Sequence, residues 1–206
     1  MPPSAGERAP ARCEARVATR LTGVPRQVFT FDPPERFVAG TVGQPGDRVF
    51  YLQASGGGRT VSVALEKVQV QLLAERLEEL LETVRRRGVA EVPAAIAGAL
   101  EDTAPLDAPV EEEFRVGAMG LAWDGESDVV VVEALAPAEG EQEVEPLTDA
   151  DDGPDALRVR LPAQMARSFI VRAQRVVAAG RPPCPLCSLP LDPEGHICPR
   201  QNGHRR

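Results

Sequence analysis

Cys184 and Cys187 form a Cys-Pro-Leu-Cys knuckle, and His196 and Cys198 follow as His-Ile-Cys in the same stretch, RPPCPLCSLPLDPEGHICPRQNGHRR (181–206). A CxxC turn aims two thiolates at one tetrahedral centre, with metal–sulfur distances of about 2.3 Å. The intervening Leu-Pro-Leu-Asp-Pro-Glu-Gly has the turn residues to bring the chain back, so that His196 and Cys198 complete a Cys₃His set for Zn²⁺. His204 is the alternative fourth ligand, because five residues separate it from Cys198, a finger-type spacing. Gly195 and Pro199 favour His196, and residues 204–206 are terminal, where chains fray. Four protein ligands leave no position for water, so the expected metal is structural rather than catalytic.

Elsewhere the residues offer little chemistry. Both histidines lie in the tail, so a Ser-His-Asp or Cys-His pair would have to borrow a metal ligand. Ser-Gly-Gly-Gly-Arg (55–59) lacks the Lys and the following helix of a phosphate cradle. Asp124, Glu126 and Asp128 beside Trp123 read as an exposed turn, and Cys13, in a Pro/Ala/Arg-rich stretch, as an inert thiol. No catalytic residue and no organic cofactor site is expected, which leans against an enzyme.

The elements that must position the tail follow from pattern. At 206 residues the chain suits one domain with an appendage or two fused halves. No apolar run approaches the roughly 20 residues of a membrane-spanning helix, and residues 1–20 lack the apolar core of an export signal. A cytoplasmic protein with no membrane contact is expected, and its CxxC then reads as a metal site rather than half of a disulfide framework. The formal net charge is −8, yet Glu101–Asp155 holds eighteen acids against Arg115 alone, while Ala156–Arg206 holds nine arginines against Asp192 and Glu194. The tail is thus a basic segment on an acidic protein.

Residues 1–24 read as a disordered leader. From Val28, VFTF (28–31), RFVAGTVG (36–43), RVFYLQA (48–54) and Thr60–Leu65 read as strands, punctuated by DPPE, QPGD and the Gly-rich hairpin. EKVQVQLLAERLEELLETVRRRG (66–88) spaces Val68, Leu72, Leu73, Leu77, Leu80, Leu81 and Val84 at threes and fours, an amphipathic helix ending in cations and Gly88. A short helix around Pro93–Glu101 follows. The order then recurs: Phe37–Gly43 aligns with Phe114–Gly120, Val49–Ala54 with Val129–Ala134, and Leu65, Leu73, Leu80 and Leu81 with Leu161, Phe169, Val176 and Val177. The expected fold is α+β: a duplicated β-β-β-α unit with mainly antiparallel sheet (repeats at about 28–88 and 111–180 within a 25–180 domain), plus a small zinc knuckle over 181–206. The acidic segment 137–155 reads as a solvated loop. Only Gly180, Arg181, Pro182 and Pro183 separate the second helix from Cys184, so Leu186, Leu189, Leu191 and Ile197 are expected to dock in part on the repeat domain.

At VFTFDPPERFVAGTVGQPGDRVFYLQA, SVALEKVQ and CPLCSLPLDPEGHICPRQNG the sequence resembles an uncharacterised family of conserved hypothetical repeat proteins of high-GC Gram-positive bacteria. The resemblance runs from about Val24 onward; residues 1–23 extend beyond it, as a leader or a start upstream of Val24. It implies the duplication and carries no activity.

Three functions remain open at this point. The first is a non-catalytic binding or adaptor module with a protein partner. The second is an enzyme or small-ligand-binding protein with a site of carboxylates and arginines between the repeats. The third is nucleic-acid binding through Arg167, Arg172, Arg175, Arg181, Arg200, Arg205 and Arg206, disfavoured by the acidic total and by the single Trp and single Tyr.

Overall fold

A computed structural model describes residues 26–44, 46–94, 101–138, 146–147, 153–180, 184–187 and 198–200. Eight strands and two helices appear in chain order: β1 (Val28–Phe31), β2 (Arg36–Val42), β3 (Val49–Gly56), β4 (Arg59–Leu65), α1 (Lys67–Arg87), β5 (Glu112–Arg115), β6 (Ala118–Asp124), β7 (Val129–Leu135), β8 (Ala156–Pro162) and α2 (Ala163–Ala178). They build two four-stranded sheets, ordered β2-β3-β4-β5 and β1-β8-β7-β6. The fold is α+β, with three consecutive antiparallel strands in each sheet, as the meander of strands and turns predicts.

The fourth strand of each sheet comes from the other half of the chain. β1 lies parallel to β8, Val28 opposite Ala156 through Phe31 opposite Val159. β5 lies parallel to β4, Glu112 opposite Ser62 and Arg115 opposite Ala64. The second crossing takes two residues. Val116 donates its N–H to Ala64 of one sheet at 2.8 Å, and Gly117 donates to Leu135 of the other at 2.8 Å. A Cβ on Gly117 would stand 2.7 Å from Pro137 Cα, so only glycine passes this point without moving backbone.

This crossing corrects the sequence reading, in which Phe114–Gly120 is one strand aligned with Phe37–Gly43. Phe114 belongs to β5 and Phe37 to β2. By strand register the counterpart of Phe37, opposite Ala54, is Met119, opposite Ala134. Phe114 corresponds instead to Phe31; both are buried on a strand parallel to the other half's last strand.

The helices close the core. α1 ends as its sequence predicts: Gly88 takes φ 64° and ψ 27°, and Arg85, Arg86 and Arg87 occupy the last turn. At its start Gln69 accepts the Glu66 N–H at 2.8 Å and donates to the crossing residue Val116 at 3.1 Å. The buried stripe is Val70, Leu73, Ala74, Leu77, Leu81 and Val84, rotated slightly from the predicted one so that Val68 and Leu72 are exposed. No helix is found at Pro93–Ala94 or Glu101, and the residues between them lie outside the described set. α1 and α2 pack on each other, and each also packs on a strand of the opposite half, α1 on β6 and α2 on β2. Phe37 and Phe169 stack across that second contact, centroids 4.8 Å apart. One continuous apolar cluster results.

The outer face of each sheet carries a buried polar residue at the same place in the register. Gln53, beside Ser62, exchanges hydrogen bonds with the Asp107 backbone, N–H to Oε1 at 2.8 Å and Nε2 to O at 3.1 Å. Glu133, beside Arg158, accepts two bonds from that guanidinium at 2.9 and 2.8 Å and one from the Leu147 N–H. Pro146 and Leu147 therefore pack on the sheet over Gly120, where the sequence suggests a solvated loop. Residues 139–145 and 148–152 of that segment lie outside the described residues, as does the leader up to residue 25.

Replacing Gly117 by Ala forces Pro137 to shift and is expected to cost roughly 1–3 kcal/mol, the range for overpacked sites. Denaturant unfolding checks this; an unchanged midpoint and slope would show that the crossing is not a tight one.

Candidate metal centre and an adjoining charged cleft

Beyond α2 the described chain resumes at Cys184, and Pro185, Leu186 and Cys187 form a turn. That turn brings the Leu186 N–H to within 3.4 Å of Cys184 Sγ, the usual geometry by which a knuckle backbone supports a thiolate. The bond is the leading cause of a Cys184 pKa below the ordinary thiol value, outweighing burial, which acts the other way. Cys198 enters from the far side of the loop. Its Sγ lies 3.9 Å from that of Cys184, and the sulfurs of Cys184, Cys187 and Cys198 all lie within 4.8 Å of one another. Ligands about 2.3 Å from a tetrahedral ion stand about 3.8 Å apart, whereas a disulfide needs about 2.05 Å. No disulfide joins the three thiols, and their spacing fits the first arrangement.

Cys184 and Cys198 are buried and Cys187 is half-buried, which limits the water that competes for a metal. Three soft thiolates can hold a metal ion. His196 and His204, the alternatives for a fourth ligand, lie outside the described residues, as does Cys13. Leu186, one of the four apolar residues of which some are expected to dock on the body, is 48% exposed. Leu189, Leu191 and Ile197 are outside the described set.

A second cluster lies where the halves meet, between β2 and α2. Arg36 donates to Asp102 Oδ2 at 2.6 Å and to Asp107 Oδ1 at 2.9 Å, with further bonds to the Ala104 and Pro105 carbonyls. Arg172, buried, donates Nε to Ala39 O at 2.7 Å and Nη1 to Asp102 O and Oδ1 at 2.9 and 2.8 Å. Asp102 thus joins a guanidinium from each half. Its hydrogen bonds with Arg36 hold its carboxyl below the ordinary range and raise Arg36, while burial lowers Arg172.

The sequence anticipates carboxylates and arginines between the halves but not these partners, which are 66 to 133 positions apart in the chain. Of the proposed row of phosphate contacts, Arg167 and Arg172 are buried and Arg175 is exposed. Arg167 donates to Pro93 O at 3.1 Å, Arg172 is committed as above, and Arg175 pairs with Glu101 at 2.8 Å. Arg200 is exposed, and Arg181, Arg205 and Arg206 lie outside the described residues. Asp124, read as a turn residue, accepts the Glu126 N–H at 2.9 Å in that turn. It also pairs with Arg160, which lowers its pKa to about 2.

The chain belongs to the family described as "Protein of unknown function (DUF3090)", whose model matches residues 29–198, from β1 to the last clustered cysteine. No curated protein and no solved structure matches the chain. Among the described residues no helix is long and apolar enough to cross a membrane.

Removing Asp102 leaves Arg36 and Arg172 without their shared carboxylate, so Asp102→Ala is expected to cost roughly 3 kcal/mol. Both Asp102 and Asp124 have depressed pKa values. Their stabilisation is complete above the unfolded carboxylate value of about 4 and is lost as pH falls through the depressed folded values, which for Asp124 is about 2. Urea unfolding across that range should show a steep acid loss that a double Asp102→Asn, Asp124→Asn variant flattens; an equally steep loss in the variant contradicts the assignment.

Proposed function

We propose that this member of the family is a non-catalytic binding module, with the two-sheet body as scaffold and a tail folded around one structural Zn²⁺ held by Cys184, Cys187, Cys198 and a histidine. The observation that carries the reading is the convergence of three sulfurs from both ends of the 184–198 loop to within 4.8 Å. Sulfur ligands from separate turns suit a small tetrahedral ion, and a Cys₃His set saturates zinc and leaves no site for a reacting water. His196 is the preferred fourth ligand because it stands two positions before Cys198; His204 is the alternative. Thiolates kept for a metal suit a reducing, cytoplasmic setting.

A protein partner is favoured over a nucleic acid. Supporting this, Arg167 and Arg172 are buried and donate to backbone carbonyls of the body, Arg175 is paired with Glu101 at the surface, and the acidic excess opposes phosphate contacts. We also propose that the two halves are internal repeats, about 28–88 and 111–180. The recurring order of four strands and a helix supports this, with Gln53 and Glu133 at matching register positions.

Purified protein is expected to carry about one zinc per chain by mass spectrometry of the metal. Cys187→Ala should reduce this to background, and His196→Ala should do so while His204→Ala does not. Equal metal in wild type and Cys187→Ala would refute the zinc reading.

A further inference from the structure

An open sheet ends in two edge strands, and each offers unpaired backbone groups to another chain unless something blunts it. Three of the four edges in this fold are blunted. β1 and β5 have only four residues each, and β5 is mostly charged, Glu-Glu-Phe-Arg. β2 is long but closed: Arg172 of α2 donates to Ala39 O across its outer side at 2.7 Å, and Phe37, Val38, Ala39 and Gly40 are buried. The fourth edge is β6, which reads Ala-Met-Gly-Leu-Ala-Trp-Asp, with no Lys, Arg or Pro and its one charge at the end.

The register shows which groups of β6 face outward. Met119 is the counterpart of Phe37, so Leu121 is that of Ala39. Ala39 turns its carbonyl away from β3, and inward and outward residues alternate along an antiparallel pair. The N–H and C=O groups of Met119, Leu121 and Trp123 therefore point away from β7. Among the described residues none of them has a hydrogen-bond partner. α1 does not close this edge as α2 closes β2, because Arg76, which matches Arg172 by helix register, is exposed and pairs with Glu79. Every β6 residue except Gly120 is half-buried.

The side chains select the occupant. Met119, Leu121 and Trp123 share the core face, and Ala118, Gly120 and Ala122 share the outer one. When a second copy runs antiparallel with Leu121 on the two-fold axis, Met119 faces Trp123 of that copy, a thioether against an indole. Leu121 then faces itself, and the outer face of the joint holds only Ala and Gly. Asp124 falls opposite Ala118 of the second copy, away from the other Asp124, and Arg160 already balances its charge. The strand is complementary to itself and brings no like charges together, as a two-fold interface requires.

We propose that β6 pairs with β6 of a second copy of this chain, antiparallel about Leu121, so that two four-stranded sheets become one continuous sheet. The interface goes beyond the binding-module reading and does not involve the metal.

Sedimentation equilibrium of the full chain, from about 1 to about 500 μM, is expected to show monomer and dimer and nothing larger. Hydrogen exchange should show the Met119, Leu121 and Trp123 amides gaining protection as concentration rises through the dimer midpoint. Ala122→Lys sets two ammonium groups close together on the outer face of the joint and should weaken the dimer at least about tenfold. Leu72→Lys alters a different exposed apolar position, on α1, and should leave the dimer unchanged. A chain that stays monomeric over the whole range, larger assemblies, or a dimer whose formation leaves those three amides unprotected would each overturn the proposal. So would a dimer that Ala122→Lys does not weaken, or one that Leu72→Lys does.

Discussion

The exchange of first strands is the constraint on which the rest of the structure depends. Each half supplies three antiparallel strands, and such a sheet with one helix covers a single face and leaves edges open. β1 completes the sheet of the second half and β5 that of the first. Each half also lends its helix to the other's second strand. Neither sheet is complete without the partner half, so the apolar side chains of both form one core instead of two small ones. For halves of this size the gain is substantial, because short chains bury too little surface to be stable alone.

The exchange fixes where polar chemistry can collect. The segment between α1 and β5 must travel back across the first sheet to place β5 beside β4. On the way it lays Asp102 and Asp107 against Arg36, Gln53 and Arg172. The charged cleft is thus a product of the connection, and Arg76 of α1, the position that matches Arg172 of α2 by helix register, builds no equivalent among the described residues: it is exposed and pairs with Glu79. The tail leaves the body at Gly180, close to Lys67 at the start of α1. Gly180 follows the C-terminal end of α2, and Pro162 precedes its start, about 24 Å away along a helix of 16 residues at 1.5 Å per residue.

Much of this was legible in the residues. Strand positions, the Gly57-Gly58 hairpin, the Gly88 cap and the two helices follow from periodicity and turn chemistry. The matching of Gln53-Ala54 with Glu133-Ala134 survives in the register. The strand exchange did not show, because FRVGAMG alternates well enough to read as one strand; only the close approach of Pro137 to Gly117 reveals that the chain changes sheets there. Aromatic-for-aromatic alignment then paired Phe114 with Phe37 when its counterpart is Phe31. The CxxC and Cys198 were legible because metal geometry restricts spacing. The Arg36–Asp102–Arg172 cluster was not, because long-range ion pairs leave no periodic trace.

If the exchanged strands hold the halves together, they must open together. Native-state hydrogen exchange compares the amides of β4 and β8, the interior strands that pair with the exchanged β5 and β1. The account predicts one shared opening free energy for the most protected amides of both strands, equal to that of global unfolding. Two distinct values, with one sheet opening while the other stays protected, would contradict it.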